Sequence, residues 1–368
     1  MSNNLFNPTR LKFARKRRGI PARALCDLLG ITTRTYTEYE NGRGEPQPHL
    51  LAKLSSELKF PEEFFFLDDI SPISDSTVSF RSLARMSAKV RDAVLHAGKI
   101  ALQLSEWLDN RFDTPCVDLP DLKDLDPETA AEALRNEWTL GQKPIGNMIH
   151  LLEAKGARVF SLVEDTTDMD ACSFWNGDRP FIFLNTKKTV EHSRFDAAHE
   201  LGHLVLHKHG GPIGKEAETQ AHRFASAFLM TEDSVKAQFR NYPTLDKIIS
   251  EKSLWGVSAA AYVRRLKDLA LITEWQYRSF SIDLSRRGYM KTEPNPMNLR
   301  ETSKLLPMLF QALRDEGISR YDIAKDLNLF AEDIDSLVFN LTVVILQGGL
   351  KADVGSARSN RGHLRVVK

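Results

Sequence analysis

In the run RFDAAHELGHLVLHKHGG, Arg194 to Gly211, His199 and His203 stand four residues apart with Glu200 beside the first. Read as a helix, that spacing puts both imidazoles on one face, one turn apart, where they can share one ion. Polar groups on the inner part of a helix are costly unless something compensates them, and a divalent cation does so. Two histidines with such a glutamate suit zinc, the carboxylate being placed to take a proton from water. Phe195, Ala198, Leu201 and Val205 supply the apolar face, and Gly210, Gly211 and Pro212 are expected to end the helix. Zinc with an open coordination position needs a third protein ligand, and KEAETQAHRFASAFLM, further on, offers Glu216 and Glu218. Glu218 projects from the side of Ala221 and Ala225, the buried side of a helix over 215–230, whereas Glu216 faces elsewhere. His222, four residues after Glu218, reads as an outer partner of the site or as a packed ring. His207, one turn past His203, is a candidate outer partner or oxyanion stabiliser, while His192 and His209 read as solvated. Cys172 borders the site in sequence order. It reads as a packed thiol, with an inhibitory thiolate in zinc's open position as the alternative.

The elements that must hold these residues are mostly helical, with a small β-sheet, an α+β pattern. ARVFSL (157–162) reads as a strand, and CSFWNGDRPFIFLN (172–185) as a hairpin turning at Asn176, Gly177 and Asp178. The strand RPFIFLN is expected to offer an edge on which an extended peptide could pair. A long amphipathic helix is expected over 81–112, further helix over 128–155, and helices again over 231–290 and 299–347. SPISDSTVSF (71–80) reads as a linker and 348–368 as a disordered tail. The expected divisions are 1–70, 71–124 (linker and long helix), 125–240 (the metal domain), 241–347 (a helical packing or dimerisation region) and the tail.

The first segment asks for a different chemistry. Arg10, Lys12, Arg15, Lys16, Arg17 and Arg18 put six cations and no anion into the first eighteen residues. PARALCDLLGI is a helix stopped by Gly30. TTRTYTEYENGRGEP is a second, with Thr32 as its N-cap and Gly42 beyond its end. Two short helices joined through a glycine turn form a helix-turn-helix, whose second helix enters the major groove of DNA. Thr33, Arg34, Thr35 and Thr37 are the expected base-edge residues, and Arg15, Lys16, Arg17 and Arg18 the expected phosphate contacts. Residues 315–339 imitate this spacing. Glu332, Asp333 and Asp335 on their second helix would repel phosphate, so a packing bundle is expected there.

Two resemblances follow from these residues. GITTRTYTEYENG resembles the phage-repressor (Xre-type) helix-turn-helix family over about residues 9–66. The run FIFLN, RFDAAHELGHLVLH, ETQAHRFASAFLM resembles the ImmA/IrrE-like zinc metallopeptidases over about 125–240. That resemblance implies a zincin-like fold, Glu218 as third zinc ligand, Glu200 as catalytic base and a protein substrate such as a repressor. The chain departs from the family at His222, where Asn is usual, and at Thr231, where Pro often stands.

Composition narrows the setting. A net charge of +1 over 368 residues excludes a polyanion binder acting through overall charge, so DNA affinity must be local. Three cysteines, an odd number without close pairing, argue against a disulfide framework. MSNNLFNPTR lacks a signal peptide's apolar core, and no apolar run has the length of a membrane span, so a cytoplasmic protein is expected. The combined expectation is a homodimeric operator-binding regulator carrying a zinc endopeptidase that cleaves a repressor or a toxin–antitoxin partner. The alternative is a ligand-sensing transcription factor, or an antitoxin-type autorepressor, whose zincin domain does little proteolysis.

Overall fold

The computed structural model describes residues 5–70, 88–162, 170–208, 212, 214–239 and 243–342. The 71–80 linker, the expected helix start at 81–87 and the tail fall outside them.

The N-terminal unit is five helices: α1 (Pro8–Arg17), α2 (Ala22–Leu29), α3 (Thr33–Glu40), α4 (Pro48–Leu58) and a 3-10 turn, Glu62–Phe66. Asn7 caps α1 by accepting from the Thr9 N–H, and Pro8 occupies the first turn, where no backbone donor is needed. Gly30 ends α2 with φ 73, the left-handed conformation that lets the chain turn at once into α3.

A long helix, α5 (Ala88–Asp109), packs against α1. Sequence periodicity predicted one helical stretch over 128–155. The structure has two helices, α6 (Pro127–Glu137) and α7 (Met148–Ala154). Thr139 and Gly141 adopt positive φ between them, and Pro144 follows, so a continuous helical ladder is impossible there.

Three strands follow: β1 (Arg158–Ser161), β2 (Ala171–Asn176) and β3 (Arg179–Leu184). Their order is β1-β3-β2, with β1 parallel and β2 antiparallel to β3. The expected edge strand, RPFIFLN, is therefore central and bonded on both sides; the outer strand beside the helix that bears His199 and His203 is β2. Alternation divides the molecule at this sheet. Phe160, Cys172, Phe174, Phe181 and Phe183 face one core, shared with the N-terminal unit, α5 and the C-terminal helices. Val159, Ala171, Trp175, Ile182 and Leu184 face the other.

That second core holds α8 (Val190–Leu206), α9 (Lys215–Leu229), α10 (Glu232–Gln238), α11 (Leu245–Trp255), α12 (Ala259–Asp268) and α13 (Glu274–Arg286). α8 stops at Leu206, short of the glycines expected to end it. Its N-terminal half is anchored by buried charge. Arg194 pairs with Glu301 and donates to the carbonyls of Ile145 and Trp255, while Lys252 sits 3.0 Å from Glu293 and 3.5 Å from Glu191.

The C-terminal helices are α14 (Leu305–Asp315), α15 (Arg320–Asp326) and α16 (Ala331–Leu337). Glu153 of α7 caps α14, accepting from the backbone N–H groups of Lys304 and Leu305 at 2.9 and 3.0 Å. The architecture is thus helical with one small sheet, the α+β class expected.

Candidate metal centre and nucleic-acid interface

α8 and α9 cross closely. A Cβ on Gly202 would lie 3.0 Å from Phe224 Cδ1 and 3.2 Å from Ala221 Cα, so any larger residue would require α9 to give by a few tenths of an ångström. The crossing carries Glu218 to the two histidines. His199 Nε2 and His203 Nε2 are 3.1 Å apart, and Glu218 lies 3.5 Å from the first and 3.6 Å from the second. One ligand atom from each of the three falls within 4.8 Å of the others. Two imidazole nitrogens and one carboxylate oxygen are a donor set that suits zinc. Burial works against a charged His199, yet Glu218, Glu200 and Asp196 outweigh it and raise its pKa. The same negative field favours a cation.

Glu200 lies one residue from His199 and is buried. Burial pushes its pKa up to about 6, against the opposing influence of His199 and of Ser173. Ser173 Oγ on β2 donates to Glu200 Oε2 at 2.6 Å, so the sheet aims the carboxylate. That serine was not singled out from sequence; its signal is its place between Ala171 and Trp175 on the strand face turned toward α8. His203 Nδ1 is 3.0 Å from His207 Nδ1, which makes His207 an outer partner of the trio. The His222 ring meets Phe195 at a tilt of 54°, ring centroids 4.9 Å apart, and lies 5.7 Å from His199, outside the cluster of three. Glu216 is exposed and takes no part. Cys172 packs on the opposite sheet face, among the phenylalanines, and burial raises its thiol well above the ordinary value. The inhibitory-thiolate alternative is therefore corrected to a packed thiol: adjacent strand residues point to opposite faces.

At the N-terminus, Thr32 caps α3 through the Thr35 N–H at 3.1 Å. Thr33, Arg34 and Thr37 are exposed, and the Arg34 side chain is 90% exposed, with only Glu38 at 3.4 Å. Thr35 is half-buried, its hydroxyl 2.9 Å from that of Thr32. The four expected phosphate contacts are engaged within the molecule. Arg15 donates to Glu40 at 2.8 Å and to Tyr36 at 3.1 Å. Lys16 pairs with Asp92 at 2.9 Å, and Arg17 is buried. Arg18 donates to both oxygens of Asp333, at 2.7 and 2.8 Å, and to the Leu58 and Lys59 carbonyls. Arg15 thus ties α1 to α3 within the unit, while Lys16 and Arg18 hold the unit to the rest of the molecule. Sequence reasoning passed over Arg23, in the first turn of α2, and Arg43, just past α3. Both are exposed and make no ion pair among the described residues. Isolated arginines give no charge run to notice.

Together the fold and these sites define a helix-turn-helix reader joined to a domain of metallopeptidase type. Comparison with family models places the two parts: residues 11–65 match the helix-turn-helix family, and residues 152–267 match the IrrE N-terminal-like domain, a peptidase family. The chain is a fusion of the two, and the second match runs on through α11 and α12. No curated protein matches the chain. No described helix is long and apolar enough to cross a membrane.

Proposed function

We propose that this protein is a cytoplasmic regulator that binds an operator through α2 and α3 and cleaves a partner protein at a zinc ion held by His199, His203 and Glu218. The observation that carries the enzymatic half is the convergence of those three side chains from two helices, with Glu200 buried beside them and bonded to Ser173. A zinc ion there supplies Lewis acidity to the scissile carbonyl and to water. Glu200 takes the proton from water and delivers it to the leaving amine; a carboxyl near pH 6 is suited to both tasks. An extended substrate adds to the outer edge of β2 by backbone pairing. A cleft of about 420 Å3 beside Glu218, walled by Phe195, Thr219, His222, Ala261 and Arg264, receives one of its side chains. On the DNA side, Arg34 with Thr33 and Thr37 reads base edges, while Arg23 and Arg43 take phosphates. Paired half-sites of this reader type favour a homodimer. The substrate class is a repressor or a toxin–antitoxin partner.

The test is cleavage of purified candidate repressors by zinc-loaded protein. Glu200→Gln is expected to retain one zinc per chain and to cut about 10²–10⁴-fold more slowly. Equal rates would remove the enzymatic reading. A second reading, a ligand-sensing transcription factor, is favoured by one observation: the sheet that aims Glu200 also forms part of the reader's core. In that case operator affinity responds to occupancy of the metal site in Glu200→Gln as in wild type.

A further inference from the structure

We propose that Gln220, acting through His207, fixes the ring form of His203 that can bind a metal ion. This rests on the metal reading above and adds two positioning residues to it. His203 Nε2 faces His199 and Glu218, and its Nδ1 lies 3.0 Å from Nδ1 of His207. Two ring nitrogens that face each other form a bond only when one carries a proton and the other a lone pair. The other nitrogen of His207, Nε2, is 3.0 Å from Gln220 Oε1, an atom that only accepts. His207 Nε2–H therefore donates to Gln220. Neutral His207 keeps a lone pair on Nδ1 and accepts Nδ1–H from His203. His203 is left with an unprotonated Nε2, which faces His199 Nε2 at 3.1 Å and accepts a hydrogen bond from its proton until a metal ion takes that place.

The reverse arrangement shows why the order matters. With the Gln220 amide turned, its N–H₂ would donate to His207 Nε2, His207 Nδ1–H would donate to His203 Nδ1, and His203 Nε2 would carry the proton. A proton on that atom repels a cation and occupies the ligating lone pair. Metal-binding histidines characteristically donate their second N–H to a fixed acceptor, and losing such a partner costs about 10–100-fold in metal affinity. Here the acceptor is another imidazole, which can fill that role only because a third group sets its own tautomer. The chain spans the α8–α9 crossing, so the contact that delivers Glu218 also delivers Gln220.

The test uses full-length protein in two measurements. Histidine ¹⁵N shifts of the metal-free protein report which nitrogen of His203 carries the proton, with no metal and no catalysis involved. Wild type is expected to show Nδ1–H and bare Nε2, and Gln220→Leu to shift population toward Nε2–H. Zinc affinity, by competition with a chromophoric chelator, is expected to fall about 10–100-fold in Gln220→Leu and to return in Gln220→Glu, which restores an acceptor oxygen. The proposal is overturned if wild-type His203 carries its proton on Nε2, or if Gln220→Leu binds zinc as tightly as wild type. Should wild type bind no zinc, the metal reading falls while the ring-proton measurement still decides the relay.

Discussion

Two carboxylates one turn apart on α8 show how position sets chemistry. Burial pushes both Asp196 and Glu200 up to about 6. Glu200 has Ser173 as donor; Asp196 Oδ2 is buried and has no partner among the described residues. For Asp196 the folded value, about 6, stands above the ordinary 3.8. Folding therefore favours its protonated form, and that contribution is full below pH 3.8 and lost as pH rises through 6. In metal-free protein, Asp196→Asn is expected to be more stable than wild type at pH 7.5, by up to about 2 kcal/mol. At pH 4 the two should converge; urea unfolding at both values checks this, and an unchanged difference across the range would refute it. At the other end of the chain, Arg34→Ala should cost about 1–3 kcal/mol of discrimination at one base pair, measured against operator variants. Equal losses on all sequences would mean that Arg34 touches backbone, not bases. His199, Glu200 and His203 were legible in the sequence because helical spacing alone puts them together. The roles of Arg15 and Arg18 were not, because their partners, Glu40 and Asp333, lie 25 and 315 residues along the chain.

At the scale of elements, the centre depends on how closely two helices cross. Gly202 stands inside the motif yet contributes no ligand; its role is to be small against Ala221 and Phe224. Gly202→Ala should push α9 outward by a few tenths of an ångström and destabilise the fold by about 1–3 kcal/mol. It should also weaken zinc binding about tenfold while His199, His203 and Glu218 remain present. Wild-type melting and wild-type affinity together would show that the helices do not meet so tightly. The helices and the hairpin could be read from periodicity and turn residues, and Gly177 does take the left-handed turn position. Strand order could not. Nothing in RPFIFLN says whether it lies in the middle or at the edge of the sheet, since that depends on where β1 and β2 come to rest.

At the scale of the whole molecule, the reader is not an appendage. Its core is continuous with α5, one face of the sheet and the C-terminal helices, and the Arg18–Asp333 pair closes the arrangement. The acidic helix that looked unfit for DNA is the counterpart of the basic helix that was read as a phosphate grip. Because Asp333 is buried, Arg18→Ala should cost about 3 kcal/mol by stranding its charge. The paired replacement Arg18→Met with Asp333→Leu should recover most of that in urea unfolding. A variant pair no better than the single change would assign Arg18 to some other contact. One further result follows for any protease that nicks the backbone between residues 70 and 88. The two halves would stay clasped, so parting the helix-turn-helix unit from the rest would require unfolding as well as scission.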